Sequence, residues 1–274
     1  MSSPYRDLER PPLSQRSLER ALVVPGGLWR RLDIRARTGS TNADATEAAL
    51  AGEPEGLVVV AEEQTAGRGR RDRGWVSPPR AGLTLSVLLR PGDVPSRSWG
   101  WLPLLAGVAL REAVHRITEL DADLKWPNDL LVHDAKCAGI LAEVAGDAVV
   151  VGLGLNVTTR VDELPPVTGL PATSLQIAGA KSADRDPLLK ALLRSLAQWY
   201  SGWREAGGDA EMCGLLAAYR RGCSTIGRDV RVSRPAGGDL VGAAVDVDAD
   251  GQLVVRSADG AENRVSAGDV RHVR

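Results

Sequence analysis

The chain has few cysteines and histidines, no surplus of charge of either sign and no long apolar run. Its three cysteines, Cys137, Cys213 and Cys223, stand at no metal-ligand spacing, and an odd number cannot close a disulfide framework. Free thiols in a reducing, cytoplasmic compartment are expected. His115, His133 and His272 lie far apart, none at zinc-hydrolase spacing, and no Gly-x-Ser-x-Gly elbow is present. No apolar stretch approaches membrane-spanning length, and the charged N-terminus, broken by Pro11 and Pro12, is neither signal peptide nor anchor. With 34 lysines and arginines against 35 aspartates and glutamates, no whole-chain field attracts nucleic acid. Aromatic RNA-binding signatures are missing as well. No nucleic-acid or membrane partner is expected, any polyanion site must be local, and the chemistry must rest on positioned charges.

What is present fills 274 residues, enough for a large domain followed by a small one. Ser40, Thr41 and Asn42, with Asp44 behind them, write a helix start before an alanine-rich run that Gly52 and Pro54 close. Residues 57–63 read as a buried strand. Leu83, Leu85, Val87 and Leu89 alternate as a strand with one inward face. A long helix is expected over 99–117, with Pro103 tolerable near its first turn. Short strands follow at 124–126, 130–133, 137–144 and 148–157, turning at Asp134 and Ala135 and at Gly146 and Asp147: a meander expected at the centre of a sheet. After a proline-rich loop, 158–171, helical periodicity returns over 187–203 and 210–221. Beyond Gly222 four short strands with Gly-Gly and Asp-Gly turns (229–233, 240–248, 253–257 and 262–266) suggest a small SH3-like β-barrel. The expected division is an N-terminal extension (1–36), a ligand-binding domain (37–222) and a C-terminal domain (223–274).

The segment Gly67-Arg68-Gly69-Arg70-Arg71-Asp72-Arg73-Gly74 follows directly on a buried strand. Glycines let the backbone approach a ligand, and guanidinium forks match phosphate or carboxylate. The composition fits an anion clamp, though a solvated loop would also accommodate it. It is neither a dinucleotide fingerprint, which needs glycine where Asp72 stands, nor a P-loop, which needs a Gly-Lys-Ser/Thr ending. Lys125-Trp126-Pro127-Asn128-Asp129 could simply fix a turn, and Lys136 could be a surface lysine. Facing a bound anion beside the arginines, Lys136 would instead add about 1.5–3 kcal/mol per charge-assisted hydrogen bond. In Val151-Gly152-Leu153-Gly154-Leu155-Asn156-Val157 the glycines mark close packing or a close approach to another group, which leaves Asn156 unexplained. Gly39-Ser40-Thr41-Asn42 caps a helix and gathers short polar groups at a helix N-terminus.

Four blocks, Gly39–Asn42, 62–70 (Glu-Glu-Gln-Thr-Ala-Gly-Arg-Gly-Arg), 125–129 with 136–141 (Lys-Cys-Ala-Gly-Ile-Leu), and 152–157, together resemble bacterial biotin protein ligases in order and spacing. The β-rich tail resembles that family's C-terminal domain. Asp72 departs from the family's usual glycine. The resemblance implies an α+β fold, a central mixed sheet flanked by helices as in class II aminoacyl-tRNA synthetases. It also implies a two-step reaction, in which biotin and ATP with Mg2+ give biotinyl-5′-adenylate, and a lysine of a biotin carboxyl carrier protein domain of acyl-CoA carboxylases then takes the biotin. By matching position, Ser40, Thr41, Asn42, Gln64, Arg68, Gly69, Arg70, Lys136, Gly139 and Gly154 should surround biotin. Gly67, Arg68, Arg70, Trp75, Asn128, Lys136 and Asn156 should bind ATP or the adenylate, with Arg70, Lys136, Asn128 and Asp129 catalytic and no protein-bound metal. The clamp should order over ligand and shield the adenylate from water. About three dozen residues before Ser40, interrupted by prolines, are too few for a helix-turn-helix module, so no repressor role is expected. A monomer or weak dimer is expected. Lipoate ligases and octanoyl transferases are the sister alternative, against which the arginine-glycine and Lys-Trp-Pro-Asn-Asp blocks favour biotin. A ligand sensor or a nucleic-acid module is the alternative from another class.

Overall fold

The computed structural model describes residues 10–71, 73–166, 170–234 and 238–273; Asp72, singled out above, lies outside them. Seven strands form the larger sheet: β1 (Arg31–Arg35), β2 (Leu57–Ala61), β3 (Gly82–Leu89), β4 (Asp123–Lys125), β5 (Asp129–Val132), β6 (Ala135–Ala145) and β7 (Ala148–Asn156). Their order is β1-β2-β3-β7-β6-β5-β4, with β1 parallel to β2 and every other pairing antiparallel. The mixed sheet expected from the sequence is therefore present. The meander β4–β7 occupies one flank, with β4 at the edge, and not the whole centre, because β2 and β3 pair onto the far side of β7.

Strand periodicity assigns two faces. Leu83, Leu85, Val87 and Leu89 of β3, Ala138 and Ile140 of β6 and Val149, Val151, Leu153 and Leu155 of β7 enter one core with helices α3 (Trp101–Thr118) and α4 (Arg185–Glu205). On the other face Leu57, Val59, Leu88 and Val150 meet Ala45 and Ala49 of α2 (Thr41–Leu50). Ser40 caps α2, its hydroxyl accepting from the Ala43 amide at 3.4 Å. Because α2 spans ten residues it covers only part of its face. The uncovered remainder carries Thr84, Gly139, Gly154 and Asn156, which alternate with the core residues, and there the site forms.

Several expectations are corrected. Within the described part of the expected extension, residues 10–36, β1 is the parallel edge strand of the large sheet, and α1 (Gln15–Leu22) packs on α4 and β1. A helix of eight residues is marginal alone, and burial of Leu18 and Leu22, worth about 1.5–3 kcal/mol each, holds it in place. The turn after β5 is His133-Asp134, both left-handed, with Ala135 already in β6. Residues 96–100 form a 3-10 turn ahead of α3, and Pro103 is the third helical residue. Helix α5 (Leu215–Gly222) starts only after Gly214, at φ 78°, so residues 210–214 are turns.

The C-terminal strands β8 (Asp229–Ser233), β9 (Asp239–Val247), β10 (Leu253–Arg256), β11 (Glu262–Val265) and β12 (Asp269–His272) form an antiparallel sheet of order β11-β10-β9-β8-β12. The sequence reading missed β12. Between the sheets Cys223 bridges to Leu124 and the Ser224 amide donates to the Leu124 carbonyl, so the chain keeps contact with the large sheet just beyond Gly222. Among the described residues, no helix is long and apolar enough to cross a membrane.

Candidate active site

One cavity of about 270 Å³ opens on the uncovered sheet face. Its floor is a cross-strand row. Thr84 of β3 pairs with Gly154 of β7, Gly154 with Gly139 of β6, Gly139 with Asp129 of β5 and Asp129 with Lys125 of β4. Directly paired residues share a face, so this register sets a flat glycine floor beside an acid and a lysine. The next row, Ser86, Gly152 and Leu141, underlies α2. A Cβ on Gly152 would stand 1.9 Å from Asn42 Oδ1, and one on Gly154 would stand 2.3 Å from the Trp75 indole. Both positions are glycine because other groups lie against the strand.

At the polar end, Gln64 Oε1 accepts from the Thr41 amide at 2.8 Å and from its hydroxyl at 3.1 Å. Ser86 Oγ is 2.8 Å from Thr41 Oγ1 and 2.6 Å from Asn42 Oδ1. Asn42 Nδ2 donates to the Leu141 carbonyl at 3.3 Å and to Glu143 Oε2 at 2.7 Å. These commitments leave the Ser40 hydroxyl hydrogen and the Gln64 amide nitrogen as donors for a neutral polar ligand. Ser40, Thr41 and Asn42 are all buried.

Opposite them, residues 67–71 and 73–75 pair as the arms of a hairpin. The Trp75 amide donates to the Gly67 carbonyl at 2.9 Å and the Gly69 amide to the Arg73 carbonyl at 2.6 Å, with Arg71 left-handed at the tip. The arginines are sorted by partner. Arg68 pairs with Glu143 at 3.2 Å, Arg73 with Asp269 at 3.1 Å, and Arg71 donates to the Ser233 carbonyl at 2.9 Å. Arg70 donates to Asn128 Oδ1 and the Gly268 carbonyl, each at 3.2 Å, and among the described residues it has no ion pair with a carboxylate. Burial lowers the Arg70 pKa, against the opposing pull of Asp269 and Asp129. Its guanidinium is thus charged, desolvated and incompletely compensated.

Lys136 Nζ lies 2.6 Å from Asp129 Oδ1 and beside the floor at Gly139. Lys125 Nζ is 3.7 Å from Asp129 Oδ2, and burial lowers the Lys125 pKa while Asp129 and Asp269 raise it. Asn128 Nδ2 donates to the Ile140 carbonyl at 2.9 Å, which ties the corner at 125–129, where the Trp126–Pro127 bond is cis, to β6. Asn156 lines the cavity, but its amide donates to the Thr173 carbonyl at 3.0 Å and anchors the segment after the proline-rich loop. Trp75 Nε1 is buried and has no hydrogen-bond partner among the described residues. The structure therefore gathers every site residue expected from the sequence around one space: Gly67 and Asp129 through their bonds to lining residues, the others as lining.

Sequence reading missed Glu143, Ser86 and the C-terminal contacts Ser233, Gly268 and Asp269. Period-two alternation from Gly139 through Leu141 points to Glu143; no sequence signal points to the contacts from β8 and β12. Burial would raise the Asp269 carboxyl, yet Arg73, by charge and hydrogen bond, holds it below the ordinary carboxylate range. Among the described residues no cluster of histidine, cysteine, aspartate and glutamate is placed to hold a metal ion.

Residues 35–156 match the Biotin/lipoate A/B protein ligase family and residues 225–273 the Biotin protein ligase C terminal domain. Fold and site thus define a ligase of the class that handles biotin or lipoate. The biotin–acetyl-CoA-carboxylase ligase of Mycobacterium tuberculosis (strain ATCC 25618 / H37Rv) is 46% identical over 273 residues, covering 98% of this chain and 99% of its own. The bifunctional ligase/repressor BirA of Bacillus spizizenii is 34% identical, covering 96% of this chain and 81% of that protein. Among solved structures, the biotin protein ligase from Aquifex aeolicus in complex with biotin and ATP superposes with a TM-score of 0.77 at 28% identity, over 89% of this chain and 100% of that one. The chain belongs to the biotin protein ligase family and is a ligase enzyme.

Proposed function

We propose that this ligase activates biotin with MgATP in the cavity and passes it to a lysine of the biotin carboxyl carrier domain of acetyl-CoA carboxylase. In the first step a biotin carboxylate oxygen attacks the α-phosphorus of ATP and pyrophosphate leaves, giving biotinyl-5′-adenylate. In the second the carrier amine attacks the acyl carbon and AMP leaves. The observation that carries the reading is the charge sorting: Arg68 and Arg73 are paired with carboxylates, whereas Arg70 has no carboxylate pair among the described residues and faces Lys136 and Asn128 around the floor. The first step brings a carboxylate to a polyphosphate, and preset cations in a water-poor cavity offset that repulsion.

Residue roles follow from position. Ser40, Thr41, Asn42 and Gln64 take the ureido head, whose carbonyl and N–H groups match a neutral set of donors and acceptors. The fused rings lie along the strip of Gly139 and Gly154, beside the Trp75 indole that packs against Gly154. Arg70 and Lys136 receive the carboxylate and α-phosphate; Asp129 and Asn128 hold those cations in register. Arg68, Gly69 and the rest of the hairpin cover the adenylate, and Trp75 offers its ring face to the adenine. Asn156 supports the wall more than it contacts the nucleotide. Magnesium would enter with the nucleotide and supply charge neutralisation at its phosphates.

ATP–pyrophosphate exchange with biotin, with lipoate and with neither tests the reading. Exchange should require biotin and fall by about 100-fold or more in Lys136→Ala. Exchange with lipoate alone would reassign the substrate, and biotin binding without exchange would favour a sensor.

A further inference from the structure

The roles above leave Glu143 unused, although it touches both walls of the cavity. It stands on β6, one of the interior strands of the large sheet, four residues beyond Gly139 on the same face. A single carboxylate oxygen, Oε2, accepts from Asn42 Nδ2 at 2.7 Å and from Arg68 at 3.2 Å. Asn42 belongs to the ureido end and Arg68 to the root of the hairpin; the two segments also meet directly, where Gln64 accepts from Thr41 and the Ala66 amide donates to the Gly39 carbonyl, and Glu143 adds a side-chain link between them. Asn42 has little room to tilt, since its amide lies against the Gly152 backbone and is also held by Ser86 and the Leu141 carbonyl.

We infer that Glu143 is a positioning residue that couples seating of the ring in the cavity to closure of the arginine hairpin. This rests on the biotin ligase reading above. When a ligand fixes the ureido end, Asn42 holds the Glu143 carboxylate in one rotamer, and that carboxylate fixes Arg68 and the hairpin root. The pairing also offsets the Arg68 charge with a carboxylate, which leaves Arg70 and Lys136 to meet the carboxylate and phosphate. The Arg68 side chain is 48% exposed and that of Glu143 31% exposed, so the pair adds little to global stability. Its effect belongs in ligand coupling.

Glu143→Ala removes both contacts, and the isosteric Glu143→Gln keeps an acceptor for Asn42 but loses the charge that holds Arg68. With the full-length protein, biotin alone should slow tryptic cleavage at the hairpin arginines of the wild type. Glu143→Ala should lose that protection even at saturating biotin and raise KM for biotin in pyrophosphate exchange about tenfold, an ordinary size for coupling between two sites. Its KM for ATP should change less and its melting temperature little. Glu143→Gln should keep KM for biotin near the wild-type value yet lose most of the protection; should Glu143→Ala fail to fold, this variant decides. The inference is overturned if biotin does not protect the wild-type hairpin, or if both variants are protected like the wild type with KM for biotin within about twofold. Wild-type protein without biotin-dependent exchange would instead overturn the ligase reading and this inference with it.

Discussion

Single atoms decide what fits on the floor of this cavity. Gly152→Ala would drive a methyl group into the Asn42 amide. Relief of such overpacking costs about 1–3 kcal/mol. Here the group that moves belongs to the proposed ureido site, so calorimetric titration should show biotin affinity lowered by about tenfold or more, with a smaller effect on ATP. His272 makes a different prediction. Burial, reinforced by the charges of Lys125 and Arg228, pushes its pKa from 6.5 down to about 4, and its Nε2 lies 3.2 Å from Thr225 Oγ1, which accepts from the Trp126 amide. The folded protein therefore holds this imidazole neutral where the unfolded chain protonates it. Stability should be fully present above about pH 6.5 and fall as pH drops toward 4. Urea midpoints measured at pH 7.5 and 5 should converge in His272→Gln relative to the wild type; an unchanged difference would exclude His272 as the source.

The hairpin whose arms are residues 67–71 and 73–75 is the element most exposed to change. Its tip and sides are held by Arg70, Arg71 and Arg73, which contact Gly268, Ser233 and Asp269 of the second sheet. The Arg73–Asp269 pair is half-exposed, so its loss should scarcely move the melting temperature. Local opening of the hairpin is another matter, because each tether removed lowers the free energy of that opening alone. Asp269→Asn should speed tryptic cleavage at Arg70 and Arg71 several-fold, and biotin with ATP should restore protection; unchanged cleavage would show that the other two tethers suffice. The hairpin also marks a limit of sequence reading. Its glycines and arginines announced an anion clamp, but not that Arg68 and Arg73 pair with carboxylates while Arg70 and Arg71, among the described residues, do not. That assignment depends on Glu143 and Asp269, one on β6 and the other on β12, which local patterning cannot bring together.

At the scale of the molecule, both ends of the described chain are fastened to the large sheet. Arg10 donates to Glu163 and to the Thr158 carbonyl, and the Leu13 amide donates to Glu62. Glu62 also pairs with the buried Arg185 at 2.6 Å. Breaking one side of such a pair strands a charge at about 3–5 kcal/mol, so Arg185→Ala should lower the unfolding midpoint strongly in a denaturant titration. At the other end, the indoles of Trp101 and Trp126, each 1% exposed, donate to the carbonyls of Ala249 and Gly251. A chain ending at residue 222 would expose both rings and lose the Arg70 contact to Gly268. It should melt less cooperatively in calorimetry and show no biotin-dependent exchange. Independent folding of that fragment with full exchange would mean that the second sheet is dispensable.

By itself the sequence determined the periodic strands and helices, the cap at Ser40 and four blocks of polar, glycine and basic residues, because these follow from nearest-neighbour chemistry and from periods of 2 and 3.6 residues, while the mixed α+β architecture was implied by the resemblance those blocks carry. It also pointed to a biotin-handling ligase through the order of those blocks. Only the tertiary structure decided that β1 and α1 belong to the main body, since amphipathic stretches this short gain their stability from packing. The sheet register set Thr84, Gly154, Gly139, Asp129 and Lys125 in one row, because strand order is fixed by long-range pairing that no local pattern encodes. That Arg70 has no carboxylate pair among the described residues was decided in the same way, by Glu143 and Asp269, which pair with Arg68 and Arg73, and by the Gly268 carbonyl that Arg70 meets instead.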